Sequence, residues 1–182
     1  VGFKRDGSMA AMDMYCVSDN GGKGGGGDAN SAAAGVSALY QTEAMRFRNT
    51  SIGTNTGHRG AQRGPGENQI MAIMAPIMDK AAEELGLDRL EIRKLNAAQN
   101  GDVSGPRSTP FTSAYMPEAL EQAAAQFDWE AKKGRSRQTN GNKVRGLGIG
   151  QGYHNAGRSG MDGLIRLMPD GRLQRSEERR VG

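Results

Sequence analysis

Residues 54–85 read TNTGHRGAQRGPGENQIMAIMAPIMDKAAEEL, a loop rich in glycine and arginine that leads directly into a long amphipathic segment. Within that segment apolar residues recur every three or four positions, at Ile70, Ile73, Met74, Ile77, Met78, Ala81 and Leu85. This spacing predicts a helix with one buried face, and it places Glu67 and the other charged residues outside that face. Gly86 is the residue type that commonly ends such a helix.

The residues before the loop predict strands and one short helix. Asp6-Gly7 separates residues 3–5 from residues 8–17 and is typical of the turn in an antiparallel hairpin. Residues 29–39 are small and nearly uncharged, which predicts a buried helix. Apolar and polar residues alternate over residues 45–54, which predicts a strand.

The residues after the long helix predict two more helices and then strands. Asp88 followed by Glu91 is typical of a capping box at a helix start, and Pro117 is favourable in a first helical turn. Residues 144–152 and 163–168 predict strands, with a hairpin turn at residues 169–171. The order of strands, helices and strands predicts an α+β fold.

Composition limits the class of protein. The chain has 182 residues, 28 of them glycine, with 36% hydrophobic residues and a formal net charge of +4. No apolar run approaches the roughly 18 residues of a membrane span. A single cysteine, Cys16, excludes an intramolecular disulfide framework. These features indicate a folded protein, and the net charge is too small to argue for a nucleic-acid partner.

Two glycine-rich stretches have ordinary interpretations. Residues 20–28 lack the lysine followed by serine or threonine of a Walker loop, so they predict a flexible loop. Glycine at every second position from 146 to 152 predicts one face of a strand, approached closely by another backbone, a ligand or a second sheet. His58 and His154 lie in no spacing typical of a metal site and are interpreted as loop or strand-edge residues.

Residues 54–66, called the Arg/Gly loop below, have the features of an anion site. The glycines let the backbone approach a ligand, and Arg59 and Arg63 can donate paired hydrogen bonds to oxygen atoms. The loop also leads into a helix N-terminus, whose N–H groups and dipole favour an anion. An oxyanion site and a plain surface loop with a tight turn are both compatible with these features.

Three motifs resemble the molybdenum-binding large subunit of the xanthine dehydrogenase and aldehyde oxidase family. They are TNTGHRGAQRGPGENQ at 54–69, DKAAEELGLDRLEIRKLN at 79–96 and KVRGLGIGQGYHNAG at 143–157. The resemblance implies that residues 1–174 are part of a molybdopterin-binding domain from a longer subunit. Residues 175–182, RSEERRVG, are similar to the translation of a common sequencing adapter, and we expect them to be a non-native tail.

The resemblance implies a molybdenum–molybdopterin oxidoreductase that hydroxylates an aldehyde or N-heteroaromatic carbon with oxygen from water. Electrons would pass to 2Fe-2S and FAD groups on partner subunits or domains, or to a cytochrome, and a cytoplasmic location is expected with a periplasmic one left open. Cofactor-binding roles are implied for Arg63, Gly64, Gly66 and Gln69, with Arg63 beside the molybdenum. The family's first molybdenum loop and its catalytic glutamate lie outside these residues, so we expect no catalytic residue here and no activity from this chain alone.

Three positions depart from the purine-oxidising members of the family. Pro65 replaces an aromatic residue that stacks on the substrate, Ser31 lies where a substrate-binding arginine is expected, and Ala75 replaces an acidic residue. Pro65 and Ser31 are therefore candidates for the substrate pocket, and a purine is not the expected substrate. The alternative function is a non-catalytic module that binds RNA or another polyanion through residues 57–66.

Overall fold

The computed structural model describes residues 1–23, 28–60, 63–105, 109–154 and 163–177. The helices are α1 (Asp28–Leu39), α2 (Glu67–Leu85), α3 (Arg89–Asn96), α4 (Met116–Phe127) and α5 (Trp129–Lys133). The strands are β1 (Gly2–Phe3), β2 (Met9–Asp19), β3 (Ala44–Ile52), β4 (Val103–Ser104), β5 (Thr109–Pro110), β6 (Thr139–Asn140), β7 (Lys143–Val144), β8 (Gly163–Leu167) and β9 (Leu173–Glu177). Helices and strands are mixed, as the predicted α+β class requires.

The largest sheet has the order β1-β2-β3. β1 is antiparallel to β2 across the predicted Asp6-Gly7 turn, where Gly7 has a φ of 89°. β2 and β3 are parallel, from Ala11 opposite Ala44 to Asp19 opposite Ile52. Parallel neighbours need a crossover connection, and α1 provides it. The hairpin, α1 and β3 were all predicted, whereas the parallel pairing was not.

One main core packs α1 and α2 against the sheet. Its buried members are Met9, Met12, Met14, Ala32, Val36, Leu39, Tyr40, Ile70, Met74, Met78, Ala81, Ala82 and Ile92. The predicted apolar stripe of α2 supplies many of these residues, and Gly86 ends the helix in the left-handed conformation with a φ of 70°. A smaller cluster lies where α3, α4 and α5 meet and contains Leu90, Ala97, Leu120 and Trp129.

The motif at 88–96 fastens α3 to its neighbours. The Asp88 carboxylate accepts a hydrogen bond from the Leu90 N–H at 2.7 Å, which confirms Asp88 as the N-cap residue. The predicted reciprocal partner, Glu91, pairs with Lys94 at 3.3 Å instead. Arg93 is fully buried, lies 2.8 Å from an oxygen of Asp79 and donates to the Ala75 carbonyl. Asn96 donates to the carbonyl of the β1–β2 turn at Gly7 and accepts from the N–H of Met9. The motif therefore has a structural role in this chain.

Residues 144–152 do not form the predicted strand. Strand β7 ends at Val144, and residues 145–154 belong to no strand. Burial nevertheless alternates along residues 147–154, called the 147–154 segment below, with Leu147, Ile149 and Gln151 partly buried. The intervening glycines have nothing within 4 Å of an added Cβ, so the predicted close approach of another backbone or a second sheet does not occur among the described residues. The predicted approach of a ligand stays a prediction. Alternation requires only an extended chain, whereas a strand also requires a partner.

The remaining predictions concern the last third of the chain. The predicted third helix stops at Phe127 because Asp128 is left-handed, with a φ of 60°. Strands β8 and β9 are antiparallel around the predicted turn, and β9 includes residues 175–177 of the predicted tail. Strand pairing uses backbone groups that any residue supplies, so this pairing does not test whether the tail is native, and its origin stays a prediction. Residues 178–182 lie outside the described residues. No helix in the described parts of the chain is long and apolar enough to cross a membrane.

Candidate functional site

A cavity of about 450 Å³ lies where the end of β2, the Arg/Gly loop and the start of α2 meet. Its lining residues are Asp19, Arg59, Gly60, Arg63, Gly64, Pro65, Asn68 and Gln69. The fold therefore brings together four predicted site residues, namely Arg63, Gly64, Pro65 and Gln69. Gly66, which is buried, precedes α2 as its N-cap residue.

The turn that carries Arg63 depends on two left-handed glycines. Gly64 has a φ of 67° and Gly66 a φ of 76°, a region that other residues enter only at a cost. The Asn68 side-chain amide donates to the Arg63 carbonyl at 2.9 Å and closes the turn. A Cβ at Gly64 would lie 2.9 Å from the same amide nitrogen. Both the backbone conformation and the close contact therefore require glycine at position 64.

The cavity presents unused hydrogen-bond donors. Arg63 is exposed, and its guanidinium has no hydrogen-bond or ion-pair partner among the described residues. No side chain in the described part of the chain caps the N-terminus of α2. The Asn68 N–H donates to the Gly64 carbonyl at 3.2 Å, so the helix dipole and the other first-turn N–H groups are what favour an anion at this end of α2. Among the described residues, no group of three or more His, Cys, Asp or Glu side chains is placed to hold a metal ion.

Asp19, at the end of β2, holds the Arg/Gly loop in place and was not singled out from the sequence. Its carboxylate accepts hydrogen bonds from the Thr54 hydroxyl at 2.6 Å and from the Gly21 N–H at 2.9 Å. It also lies 3.6 Å from the Arg59 guanidinium. The hydrogen bond from Thr54, followed by that from Gly21, holds the pKa of Asp19 below its usual value. Arg59 is thus partly neutralised, and Arg63 is the unpaired cation of the cavity.

The first glycines of the 20–28 stretch are ordered, contrary to the predicted flexible loop. Residues Gly21–Lys23 form one turn of 3-10 helix against the Arg/Gly loop. The Gly22 N–H donates to the Thr56 carbonyl, and the Thr54 N–H donates to the Gly21 carbonyl, both at 3.2 Å. These bonds offset the entropy cost of ordering glycine. The remaining glycines of the stretch, at 24–27, lie outside the described residues.

Glu67 is buried, although the helical wheel placed it outside the buried face. The first turn of α2 packs on α1, where a Cβ at Gly35 would lie 3.4 Å from the Glu67 side chain. The Glu67 carboxylate contacts Nδ1 of His154 at 2.5 Å. Ser31 lies on α1 one turn before Gly35, hence on the side of α1 that faces Glu67, and is not a lining residue of the cavity.

These residues fit a large anionic cofactor. Arg63 and the Gln69 amide supply donors, and the glycines leave no side chain between the backbone and the cavity. The contact at Gly64 is tight enough that even a methyl group would disturb it. This donor set suits phosphate and molybdate-like oxygen atoms, which are acceptors.

Comparison with known proteins agrees with this site. The Molybdopterin cofactor-binding domain family matches residues 1–97. The xanthine dehydrogenase molybdenum-binding subunit of Escherichia coli O157:H7 is 32% identical over 151 residues, which is 82% of this chain and 20% of that protein. The aldehyde oxidoreductase of Megalodesulfovibrio gigas is 30% identical over 161 residues, or 87% of this chain and 18% of that protein.

Solved structures agree as well. The aldehyde oxidoreductase from Desulfovibrio gigas superposes with a TM-score of 0.77 at 26% identity, over 95% of this chain and 19% of that one. This chain thus spans about a fifth of the length of the relatives it matches. The family match covers more than half of the chain and includes the Arg/Gly loop. The superposition shows that the fold agrees as well. The chain therefore belongs to the molybdenum hydroxylase family, which includes xanthine dehydrogenases and aldehyde oxidoreductases, and carries part of its molybdopterin-binding domain.

Proposed function

We propose that this chain forms part of the cofactor site of a molybdenum-binding subunit that hydroxylates an aldehyde or N-heteroaromatic carbon with oxygen from water. The observation that carries the proposal is the position of Arg63. Its guanidinium has no partner among the described residues, and a turn built on Gly64 and Gly66 presents it in a cavity at the start of α2.

Each residue of the cavity has a distinct task in this proposal. Arg63 donates to anionic oxygen atoms of the cofactor, and Gln69 adds an amide donor beside it. Gly64 and Gly66 let the backbone come close to the cofactor, while Asp19 holds Arg59 and the loop. When bound, the molybdenum–molybdopterin group supplies the two-electron oxidation of the substrate carbon. Residues outside this chain complete the site and supply the catalytic base.

The proposal extends to substrate and partners. Pro65 lines the cavity and offers no aromatic face, which favours a substrate that is not held by stacking at this position. Ser31 remains a proposed contributor to the substrate pocket from the α1 side. Electrons leave through 2Fe-2S and FAD groups, or a cytochrome, on partner subunits or domains, and we propose the cytoplasm as the compartment.

The alternative is a module that binds RNA or another polyanion through residues 57–66. Arg59 speaks against it, because this arginine is already paired with Asp19 inside the cavity. A polyanion-binding loop would show affinity that falls steeply with salt concentration, since binding releases counterions. RNA affinity measured at salt concentrations from about 50 to about 200 mM separates the two functions, because only the polyanion-binding module would bind RNA and lose affinity over this range.

Molybdenum content tests the proposed function. The complete gene product is expressed under cofactor-replete conditions as wild type, Arg63→Ala and Arg5→Ala, and molybdenum per protein is measured by mass spectrometry. A hydrogen bond to a charged group contributes about 1.5–3 kcal/mol, so Arg63→Ala should lose roughly tenfold or more in cofactor affinity. Arg5 is an exposed arginine of the β1–β2 turn, and Arg5→Ala should retain molybdenum. Wild-type protein without molybdenum, or full occupancy of Arg63→Ala, would contradict the proposal.

A further inference from the structure

We propose that Glu67 is a positioning residue for the cofactor site and that its hydrogen bond with His154 connects the 147–154 segment to the turn that carries Arg63. This inference rests on the proposed function. Neither residue lines the cavity, and both were given other interpretations from the sequence.

The surroundings of Glu67 are unusual for a glutamate at the start of a helix. Its side chain is only 7% exposed, whereas His154 is 63% exposed. A buried carboxylate is costly unless it is paired, and the Nδ1–H of His154 supplies a donor at 2.5 Å. Tyr153, the residue before His154, packs against the main core. Its burial, followed by the negative charge of Glu67, raises the pKa of its hydroxyl. The Glu67 carboxylate thus contacts the 147–154 segment at His154, while the stem of its side chain packs close to Gly35 of α1.

The first turn of α2, which contains Glu67, also fixes the backbone of Arg63 in the preceding loop. Glu67 follows Gly66 directly, and the next residue, Asn68, donates to the Arg63 carbonyl at 2.9 Å. The first turn of α2 is therefore held by Glu67 toward α1 and His154 and by Asn68 toward the cavity. Because a hydrogen-bonded helical turn moves as a unit, displacement of Glu67 would displace Asn68, and with it the Arg63 turn.

The other contacts of the 147–154 segment explain why its last residue matters. The Arg89 guanidinium donates to the Leu147 carbonyl, and the buried Tyr40 hydroxyl donates to the Gln151 side chain, both at 2.9 Å. Ile149 packs on the small cluster that contains Trp129. The segment thus crosses from the small cluster over the main core to the cofactor site, where His154 makes its contact. The hydrogen bond between Glu67 and His154 therefore forms only when this segment is packed in place.

A pair of substitutions of equal size tests the inference in the complete gene product. His154→Asn keeps an N–H donor close to the position of Nδ1, and His154→Leu has a similar volume but no donor. The rate of molybdenum loss during dialysis is measured for both, together with the thermal unfolding midpoint. Residues that orient a metal site from outside typically change affinity by about 10–100-fold. We therefore expect His154→Leu to lose molybdenum roughly tenfold faster than wild type, and His154→Asn to stay within about twofold.

The control is Glu84→Ala, an exposed glutamate of α2 whose only described ion pair is with Lys80 at 3.6 Å. It should lose molybdenum at the wild-type rate. Equal rates for His154→Leu and wild type, or equally fast loss from the leucine and asparagine variants, would overturn the inference. Should His154→Leu yield no folded protein, Glu67→Leu against Glu67→Gln makes the same comparison from the acceptor side. If Arg63→Ala loses molybdenum and His154→Leu does not, the positioning role fails while the proposed function stands.

Discussion

Individual glycines determine the shape of the proposed cofactor site, and they do so in different ways. Gly64 is required by its own turn and by the neighbouring Asn68 side chain. Gly21 is required by another part of the chain, since an added Cβ would lie 2.2 Å from the Gly57 carbonyl oxygen. The adjacent Gly22 has room, with its nearest contact at 3.7 Å. Neighbouring glycines therefore differ sharply in what they can tolerate.

Gly21→Ala should destabilise the fold, and Gly22→Ala should not. A left-handed φ of 66° alone costs a non-glycine residue about 1–2 kcal/mol, and the clash with backbone atoms adds to that. We expect the free energy of unfolding, measured by urea denaturation, to fall by at least about 2 kcal/mol for Gly21→Ala. Gly22→Ala serves as the matched control and should change it by less than about 0.5 kcal/mol. Similar losses for both variants would show that the tract does not pack on the Arg/Gly loop.

Motif spacing predicted part of the site. Arg63, Gly64 and Gln69 were predicted because their residue types and order are typical of the family, and the structure places them in one cavity; their role in cofactor binding stays a prediction. Asp19, Asn68 and Glu67 were missed because their contacts reach across the turn or to another element. An aspartate at the end of a strand before Gly21, and an asparagine in the first turn of a helix, were the available signals for two of them. The burial of Glu67 had no local signal, since it depends on the small size of Gly35 on α1.

At the scale of elements, the start of α3 joins several interactions at one carboxylate. Asp88 caps the helix at Leu90, accepts a hydrogen bond from the Trp129 indole and lies 3.2 Å from the Lys133 amine. Burial would raise the pKa of Asp88, but these hydrogen bonds together hold it below its ordinary value. A lowered pKa means that the folded state favours the charged form.

The stability supplied by Asp88 should therefore depend on pH. It is fully present above the unfolded-state pKa of about 3.9 and is lost as the pH falls through the lower folded-state pKa. Asp88→Asn keeps a capping acceptor but removes the charge, so it should cost up to about 1 kcal/mol at pH 6 and close to nothing at pH 2. Urea unfolding at both pH values measures the difference. Asp128→Asn, at the start of α5 where no side-chain cap forms, is the control; a cost of Asp88→Asn that is the same at both pH values would contradict this account.

Helices were easier to predict than strand partners. The Asp88 cap and the Gly86 end of α2 are local features, and both are confirmed. The apolar spacing of α2 is confirmed at Ile70, Met74, Met78 and Ala81 but is wrong at Ile73, which is 49% exposed. The parallel pairing of β2 with β3 is not local, because alternation records which face is buried and not which strand lies alongside. The 147–154 segment also shows that alternation does not identify a strand partner. It alternates like a strand, yet its described hydrogen-bond partners are the side chains of Tyr40, just after α1, of Glu67 on α2 and of Arg89 on α3.

For the whole molecule, methionine side chains fill much of the main core. Met12, Met74 and Met78 are each at most 2% exposed, in the core between the sheet and helices α1 and α2. Methionine adapts to irregular spaces, which suits a core between a parallel strand pair and helices of different length. The position of α2, and with it the Arg63 turn, therefore depends on this packing.

Met74→Ala should destabilise the fold by about 2–5 kcal/mol, because it removes buried methylene groups and leaves a cavity. Ile73→Ala on the same helix is the matched control, since Ile73 is 49% exposed. Its cost should be less than about half as large. Chemical denaturation followed by circular dichroism measures both; equal costs would place Met74 at the surface and contradict the packing of α2.

The small cluster where α3, α4 and α5 meet determines the tryptophan fluorescence of the chain. Trp129 is the only tryptophan of the chain, and it lies in this cluster, 6% exposed, outside the methionine-filled core. Ile149 of the 147–154 segment packs against the same cluster. Tryptophan emission therefore reports the environment of one small apolar cluster, while circular dichroism reports the helices as a whole. Undocking of the segment would shift the emission to longer wavelengths before any helix melts, so the protein contains its own fluorescent indicator for the strand-like segment whose last residue, His154, contacts Glu67.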